Sequence, residues 1–363
     1  MSMNAVVIES QGPLSVMEYK SIAMPTLLNG QVRIAMRACS LNYHDIFTRR
    51  GMPGVRTPLP MILGCDCAGI IAEIGPGVVG NWKLGDRILC DPISRFRRKE
   101  DPDPKMPIKF IGDTRWGGYS EYCVVWDRQL IKIPDEIPLK IAACLPVAFG
   151  SSYRMVVEKG KVSKGEKVLI LGASGGVGNC ACQLAKARGA YVVGCASGMK
   201  KCQMLKDLFN VDETIDTTTE NIVKRTRQLT GGSLLSGGGF DCVVNSQGGE
   251  WWSKGLRCLK QGGRMVANGA LAGHDPPTDI RYIFQGELEI RGSNGWDHSD
   301  IINLVEMVRT GALKPHIGAE YPLEKGIEAH AALEARTHFG KIVITSNAPI
   351  LGDGGDGNVS SKL

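Results

Sequence analysis

Residues 167–178 read K-V-L-I-L-G-A-S-G-G-V-G, and this stretch decides the fold of the second half of the chain. Its apolar start is typical of a short buried strand, and the segment after the glycines has helical spacing up to Gly189. This order predicts a dinucleotide-binding cradle, because the turn lets backbone amides approach a diphosphate. A glycine turn without a ligand is the alternative. The predicted cradle consists of Gly172, Ser174, Gly175, Gly176, Val177 and Gly178.

Short apolar runs alternate with helical segments after this cradle. Such alternation predicts an α/β fold with a doubly wound parallel sheet covered by helices on both faces. The further strands are predicted at 191–196, 213–216, 240–246, 263–269 and 287–292.

The end of the second strand indicates which nucleotide is bound. A site for NAD carries an acidic residue about 20 positions past the loop, where it binds the ribose 2′-hydroxyl. Counting from Gly178, that position is Ser197, and residues 194–202 contain no acid. Lys200 and Lys201 stand beside it and would attract a 2′-phosphate, so the sequence predicts NADPH. The alternative for the two lysines is that they are exposed residues at a helix start.

The first part of the chain has a different pattern of apolar residues and turns. Short β-like runs alternate with Gly/Pro turns, which predicts a compact β-rich domain. We predict this domain at 1–137, a nucleotide-binding domain at 138–292, a return segment at 293–345 that completes the catalytic domain, and a flexible tail at 346–363.

The composition excludes several classes of protein. The chain is 43% hydrophobic and 22% charged, without a run of 18 apolar residues, so no membrane span is expected. The start of the chain does not resemble a secretory signal, and twelve cysteines are then expected to be reduced, buried thiols.

No basic helix accompanies the one dense basic run, so nucleic acid is not expected as a partner. That run, Arg95, Arg97, Arg98 and Lys99, reads as a solvated loop or as a patch that attracts an anionic substrate.

Several separated motifs make the chain similar to a known family. In order they are L-N-Y-H-D-I-F-T-R-R-G at 41–51, L-G-C-D-C-A-G-I-I-A-E-I-G-P-G-V at 63–78, L-G-D-R-I at 85–89, G-G-Y-S-E-Y at 117–122, the cradle, and F-G-K-I-V-I at 339–344. Over residues 3–345 the chain resembles the medium-chain dehydrogenase/reductase superfamily. The resemblance implies a GroES-like β-rich catalytic domain, a Rossmann domain, an active-site cleft between them and a homodimer.

The resemblance also raises the question of a metal. The alcohol dehydrogenases of this superfamily hold a catalytic zinc, but Asn42 stands at the first ligand position, G-C-D at 64–66 replaces Gly-His-Glu, and the third position falls near Val147. No metal is therefore predicted. The alternative is a rebuilt zinc site formed by Cys39, Cys65 and Cys67.

The pattern Asn42-x-x-Asp45, followed by Gly64-x-Asp66, resembles the quinone oxidoreductase and enoyl reductase branches. It implies an NADPH-dependent, zinc-independent reductase of a small electrophilic substrate, which is a quinone, an enone or an enoyl thioester. The candidate catalytic residues are Asn42 as polariser, Tyr43 as proton donor and Asp45, which orders the turn. The alternatives are an alcohol dehydrogenase or carbonyl reductase, and a nucleotide-binding relative with little catalysis.

Further cofactor contacts follow from the resemblance alone. It implies Tyr153 near the cofactor, Asn245 and Ser246 near the ribose, Asn268, Gly269 and Ala270 near the nicotinamide, and Lys341 at the phosphates. For Tyr153, packing of the connecting helix is the alternative.

The last three residues, Ser361-Lys362-Leu363, match a C-terminal peroxisomal address. In a eukaryote they predict recognition by the peroxisomal import receptor; otherwise a cytoplasmic enzyme is expected. A peroxisomal reductase would meet unsaturated acyl-CoA, whose phosphates the basic run could attract.

Overall fold

The computed structural model describes residues 1–52, 56–94 and 109–351. The chain forms two compact units, one made of Met1–Val147 with the segment from His316 onward, and one made of Ala148–Pro315. Within the described residues, no helix combines the length and the apolar character needed to cross a membrane.

Within the described residues, the first unit begins with ten strands and two α-helices. The strands are β1 Ser2–Ile8, β2 Met17–Ala23, β3 Gln31–Ser40, β4 Met61–Ile62, β5 Asp66–Ile74, β6 Arg87–Cys90, β7 Ile93–Ser94, β8 Lys109–Phe110, β9 Tyr122–Trp126 and β10 Leu130–Lys132. The helices are α1 Tyr43–Arg50 and α2 Leu139–Ala142.

The second unit contains α3 Gly150–Tyr153, β11 Lys167–Leu171, α4 Gly176–Ala187, β12 Tyr191–Ala196, α5 Met199–Phe209, β13 Glu213–Asp216, α6 Ile222–Thr230, β14 Phe240–Asn245, α7 Glu250–Leu256, β15 Leu259–Ala267, α8 Ile280–Gln285, β16 Glu289–Gly292 and α9 His298–Arg309. The chain then re-enters the first unit with β17 Ile317–Pro322, α10 Gly326–Ala335 and β18 Lys341–Thr345.

The six strands of the second unit form one parallel sheet in the order β13-β12-β11-β14-β15-β16. Val168, Leu169 and Ile170 on β11 are fully buried, as expected for a central strand covered on both faces. This confirms the predicted α/β fold. Because all strands run the same way, the loops that follow them meet at one edge of the sheet.

In the first unit, β3 is the central strand of a seven-stranded sheet. It pairs antiparallel with β5, β9 and β18, so that Ser40 lies opposite Asp66 and also opposite Val343. The end of β3, the start of β5 and the middle of β18 therefore meet just before the chain enters α1. All twelve cysteines of the chain are free and buried, as the sequence predicted.

The boundaries of the two units differ from the predicted ones. Residues 138–147 belong to the first unit, because α2 packs on β3, β5 and β6. Residues 293–315 belong to the second unit, because α9 packs on α3 and buries Ile301 and Leu304. The return to the first unit therefore begins at His316 instead of residue 293.

Candidate active site

The glycine-rich turn connects β11 to α4. Gly172 has φ +68°, a conformation that favours glycine, and a Cβ there would lie 2.2 Å from Gln247 Nε2. A Cβ on Gly178 would lie 2.2 Å from the carbonyl oxygen of Gly172, so the helix packs directly against the turn. Gly175, at the start of α4, has open space, since only the Gly172 oxygen lies within 4 Å of a built Cβ, at 3.7 Å. The turn is thus tight where it meets the protein and open at Gly175, a shape that fits a diphosphate.

The loops after β14 and β15 lie beside this turn. The Asn245 side-chain oxygen accepts the N–H groups of Gln247 at 2.9 Å and Gly248 at 3.2 Å, so this amide shapes the turn after β14. The backbone N–H of Asn268 donates to the Asn245 carbonyl at 3.0 Å, and a Cβ on Gly269 would lie 3.2 Å from the Ser246 carbonyl. The predicted residues at these strand ends are therefore brought together. Ala270 is exposed in the same loop.

Gln247 was missed by sequence reasoning. Its amide lies against Gly172 and at 3.3 Å from the Ser246 hydroxyl, so it borders the cradle as closely as the predicted residues do. The signal was its position, since it lies two residues after β14, whose carboxyl end is paired with that of β11.

Ser197 and the two lysines lie where the second strand of the motif ends. Ser197 is exposed after β12, and Lys200 and Lys201 occupy the first turn of α5. Lys200 is exposed, whereas Lys201 is half-buried, and this burial lowers the pKa of its ammonium group. Both charges are thus at the helix start that the sequence predicted.

An acid that the sequence reading overlooked lies beside them. Asp216 ends β13, and the parallel register pairs it with Ala196. Its carboxylate accepts the backbone N–H of Gly198 at 2.8 Å, and the N–H and hydroxyl of Thr218 at 2.9 and 2.7 Å. The bond from the Thr218 hydroxyl is the main cause that lowers the pKa of this carboxyl. The acid is adjacent through strand pairing, so a count along the sequence from Gly178 could not find it.

Tyr153 lies in α3, and its hydroxyl accepts a hydrogen bond from the Asn303 side chain on α9 at 3.2 Å. The neighbouring Ser152 hydroxyl donates to the carbonyl oxygens of Ala148 and Val177, at 2.9 and 2.6 Å. The connecting helix is thus tied to the first turn of α4, and Tyr153 packs within this helical layer.

In the first unit, Asn42 precedes α1 and is only 7% exposed. Its side-chain N–H groups donate to Asp66 Oδ2 at 2.8 Å and to the Ser40 carbonyl at 3.3 Å. Its side-chain oxygen accepts from Lys341 Nζ at 2.6 Å. Both amide donors are therefore bound inside the protein, and they would have to leave these partners before Asn42 could polarise a substrate, so its role as polariser remains a prediction.

Lys341 is buried beside Asn42. Its side chain is 3% exposed, its ammonium group donates to the Leu41 carbonyl at 2.7 Å as well as to Asn42, and it lies 3.5 Å from Asp66 Oδ2. The pairing of β18 with β3 gives the lysine these internal partners, and it would have to leave them to reach a phosphate, so the contact with the cofactor remains a prediction from the resemblance.

Asp66 is fully buried at the centre of this network. It also accepts the Ser40 hydroxyl at 2.9 Å and the backbone N–H of Val147 at 2.9 Å. Burial raises the pKa of its carboxyl, and the Lys341 ammonium is the largest influence in the opposite direction. The residues at the first and third zinc-ligand positions thus contact one carboxylate.

Asp45 forms a second buried centre. One carboxylate oxygen accepts the backbone N–H of Asn42 at 2.8 Å and the Tyr119 hydroxyl at 3.0 Å, and the other lies 3.1 Å from Cys65 Sγ. Burial is the main cause that raises the pKa of the Cys65 and Tyr119 side chains, and the Asp45 charge adds to it. The contacts fit the expected role of Asp45 in ordering the turn.

Tyr43 is half-buried in the first turn of α1. Its hydroxyl accepts from Arg336 Nε at 2.6 Å and donates to the Leu333 carbonyl at 3.3 Å. The hydroxyl proton is thus directed toward the end of α10, and this contact would have to break before Tyr43 could donate it elsewhere.

The cysteines near these centres pack as thiols. Cys39 lies opposite Cys67 on paired strands. Burial is the main cause that raises the pKa of Cys39, whereas contacts with the thiols of Cys123 and Cys39, followed by burial, raise the pKa of Cys67. In the described part of the chain, no group of three or more His, Cys, Asp or Glu side chains is arranged to hold a metal ion.

We expect the purified protein to contain no stoichiometric zinc, because Asn42 is a poor zinc ligand and Cys65 remains protonated beside Asp45. Elemental analysis after gel filtration tests this expectation. About one tightly held zinc per chain would contradict it and favour alcohol oxidation.

Two sequence predictions, the basic run at 95–99 and the C-terminal Ser361-Lys362-Leu363, lie outside the described residues.

Two family models match the chain. The alcohol dehydrogenase GroES-like domain matches residues 28–135, and the zinc-binding dehydrogenase model matches residues 176–310. The second range includes none of Asn42, Cys65 and Val147, so its name does not concern the three zinc-ligand positions.

Whole-chain relatives agree with these matches. Human quinone oxidoreductase is 29% identical over 330 residues, which cover 89% of this chain and 91% of that protein. Crotonyl-CoA reductase of Streptomyces avermitilis is 27% identical over 369 residues, covering 90% and 81%. A crystal structure of an NAD-dependent alcohol dehydrogenase is 32% identical, with a TM-score of 0.86, and covers 95% of this chain and 100% of that one. The chain therefore belongs to the medium-chain dehydrogenase/reductase superfamily, in its quinone oxidoreductase-like branch, and is an oxidoreductase of a family that binds a nicotinamide cofactor.

Proposed function

We propose that this protein is an NADPH-dependent, zinc-independent reductase of activated carbon–carbon double bonds in quinones, enones or enoyl thioesters. One observation carries the proposal: Asn42, Cys65 and Val147, at the positions of the zinc ligands, are bound to the buried carboxylates of Asp45 and Asp66. Alcohol oxidation depends on a strong electrophile at the alkoxide. Reduction of a conjugated double bond depends mainly on the orientation of substrate and hydride donor.

The cofactor, when bound, supplies the hydride. The residues that would hold it are the backbone amides of 172–178 at the diphosphate and the strand-end residues Asn245, Ser246, Asn268, Gly269 and Ala270. The shape of the turn supports this assignment, because a Cβ fits at Gly175 but not at Gly172 or Gly178. Gln247 joins this set through its contact with Gly172.

A panel of substrates tests the reaction. We expect oxidation of NADPH in the presence of quinones, enones or enoyl-CoA, and little activity with aldehydes or with alcohols and NADP⁺. The second candidate function is that of an alcohol dehydrogenase, and the 32% identity to such an enzyme favours it. Activity confined to alcohols and aldehydes would replace our proposal with this function.

The cofactor preference is tested at the start of α5. Replacing Lys200 and Lys201 together by glutamine should weaken NADPH binding roughly 10- to 100-fold, because charge-assisted contacts to a phosphate contribute about 1.5–3 kcal/mol. NADH binding should not change. Lys206→Gln is the control for loss of charge, since it removes one ammonium group from the same helix beyond its first turn. Equal losses for both cofactors, or tighter binding of NADH by the wild type, would show that the lysines do not select the 2′-phosphate.

We also propose a homodimer, as the resemblance predicted. It is supported by the edge strand β16, where Ile290 is 41% exposed, and by the exposed side chains of Ile280 and Phe284 on the preceding helix α8. Light scattering gives the mass in solution.

Peroxisomal import and attraction of CoA remain predictions from sequence. Import of a fluorescent fusion, with and without the last three residues, tests the prediction of import.

A further inference from the structure

A cavity of about 490 Å³ lies between helices α6 and α7, and all of its lining residues belong to the second unit. This volume is in the range of pockets that hold small ligands. The loop after β13, residues 217–221, forms one side of the cavity, and side chains of the two helices form the rest. Its charged and aromatic side chains are Glu220, Lys224, Arg227, Trp251, Lys254 and Arg257.

The cavity lies on the opposite face of the parallel sheet from the helix that follows the cradle. In the strand order β13-β12-β11-β14-β15-β16, α4 and α5 lead the chain from β11 through β12 to β13, whereas α6 and α7 lead it back to β14 and on to β15. Crossovers between parallel strands are right-handed, so those that run in opposite directions lie on opposite faces. The packing agrees, because α4 contacts α5 and α6 contacts α7.

Both helices bring cations to the cavity at helical spacing. Lys224 and Arg227 are three residues apart on α6, so they lie on one side of that helix. On α7, Trp251 and Lys254 have the same spacing, and Arg257 continues it at the end of the helix. Four cations and one indole ring therefore line the described part of this cavity.

The negative groups at the cavity are already bound elsewhere. Glu220 is the one acid among the described lining residues, and it accepts the backbone N–H of Asp216 at 2.8 Å and lies 3.4 Å from Arg225, outside the lining. The start of α6 is also capped, because the Asn221 side-chain oxygen accepts two backbone N–H groups of the first turn at 3.1 Å. Attraction of an anion must therefore come from the side chains.

Lys224 and Arg227 are the cations best placed for this role. Both are exposed, and within the described part of the chain neither forms an ion pair. Lys254, by contrast, lies 2.5 Å from Glu250, and its ammonium group is 4.7 Å from the centre of the Trp251 ring. An anion at Lys224 and Arg227 therefore displaces no carboxylate.

We propose that this cavity binds a nucleoside phosphate, at a site separate from the cradle and independent of the reaction proposed above. Lys224 and Arg227 hold the phosphate oxygens, because ammonium and guanidinium groups form charge-assisted hydrogen bonds to phosphate. Trp251 is half-buried in the same cavity and offers a flat apolar surface on which a base can stack. An inorganic anion would use the charges alone, whereas a nucleoside phosphate uses both features.

ADP is the probe that tests this site. The full chain is first saturated with NADPH, and ADP binding is then measured by titration calorimetry at low and high salt. We expect one ADP per chain, with an affinity that falls as salt rises, because exposed cations supply the attraction. Replacing Lys224 and Arg227 together by glutamine should weaken ADP binding roughly 10- to 100-fold. The melting temperature should not change, since both side chains are exposed.

Two further variants make the test specific. Replacing Lys200 and Lys201 together by glutamine removes the same charge from α5, on the other face of the sheet, and should leave ADP binding unchanged once NADPH is raised to saturation. Trp251→Leu should weaken binding of ADP but not of pyrophosphate, because a diphosphate without a base contacts only the cations. Unchanged pyrophosphate binding also shows that this variant is folded.

The other outcomes have definite meanings. Displacement of ADP by NADPH, or no ADP binding by the wild type, would overturn the separate site, and equal affinities for ADP and pyrophosphate would overturn the nucleoside as its ligand. If NADPH itself does not bind, the cofactor proposed above is wrong, whereas loss of ADP binding in the variant of Lys224 and Arg227 still supports this site.

Discussion

Replacement of Lys341 by methionine is expected to lower the free energy of unfolding by roughly 3–5 kcal/mol, the range seen when one partner of a buried ion pair is removed. The substitution leaves the fully buried Asp66 carboxylate without its cation, and it leaves the Asn42 side-chain oxygen and the Leu41 carbonyl without a donor. The melting temperature should fall by roughly 6–20 °C for a unit of this size. Denaturant unfolding followed by circular dichroism measures the loss.

The loss should depend on pH in a definite direction. Burial raises the pKa of Asp66 above its ordinary value of 3.8, and the nearby Lys341 charge opposes this increase. A raised pKa in the folded state means that stability decreases as pH rises through it, because the folded protein holds its proton longer than the unfolded chain does. Without Lys341 the pKa rises further, so the variant should be closest to the wild type in acid and furthest from it at neutral pH.

Two further variants make the Lys341 test specific. Lys140→Met removes a cation from the exposed pair with Glu320, and we expect a change of about 1 kcal/mol or less. Adding Asp66→Asn to Lys341→Met should recover part of the stability, because it removes the unpaired charge. A loss below about 1 kcal/mol for Lys341→Met, or no recovery in the double variant, would contradict the buried network as the source of the effect.

A pair of glycine substitutions should separate packing from cofactor binding. Gly178→Ala places a Cβ 2.2 Å from the Gly172 oxygen and 2.6 Å from Ala173 Cα, so the backbone must shift. We expect a loss of about 1–3 kcal/mol in stability and at least a tenfold loss in cofactor affinity, about 1.4 kcal/mol. Calorimetric titration with NADPH and thermal unfolding measure the two quantities.

Gly175→Ala is the matched variant on the same turn. Gly175 has an ordinary φ of −85°, and nothing lies closer than 3.7 Å to its built Cβ, so stability should change by about 1 kcal/mol or less. If the diphosphate occupies the open space at Gly175, the new methyl group displaces it, and affinity should fall although the protein remains stable. Unchanged affinity in Gly175→Ala would show that the ligand lies elsewhere.

Several features of this protein could be predicted from the sequence because their causes are local. The run 168–171 is apolar at consecutive positions, Gly172 has a φ of +68° that favours glycine, and Gly178 is required by its contacts with Gly172 and Ala173, within seven residues of chain. The spacing of residues along the chain therefore predicts the cradle, the alternation of strands and helices, and the position of Ser197. The same reasoning predicted buried thiols, since small apolar side chains pack in cores irrespective of partners.

The roles of individual polar groups could not be predicted in this way. Lys341 and Asn42 are 299 positions apart and Val147 and Asp66 are 81 apart, so their bonds exist only after β18 has paired with β3 and α2 has packed on the sheet. Asp216 reaches Gly198 through the register of two parallel strands.

The sequence by itself thus determined which segments form the parallel sheet and where the tight glycine turn lies, since apolar periodicity and glycine geometry act over a few residues. Only the tertiary structure decided that Lys341 lies beside Asn42, and that Asp216 lies beside the end of β12. The physical reason is that a buried polar group must find its hydrogen bonds among whatever groups the fold brings to it, and those groups come from distant parts of the chain.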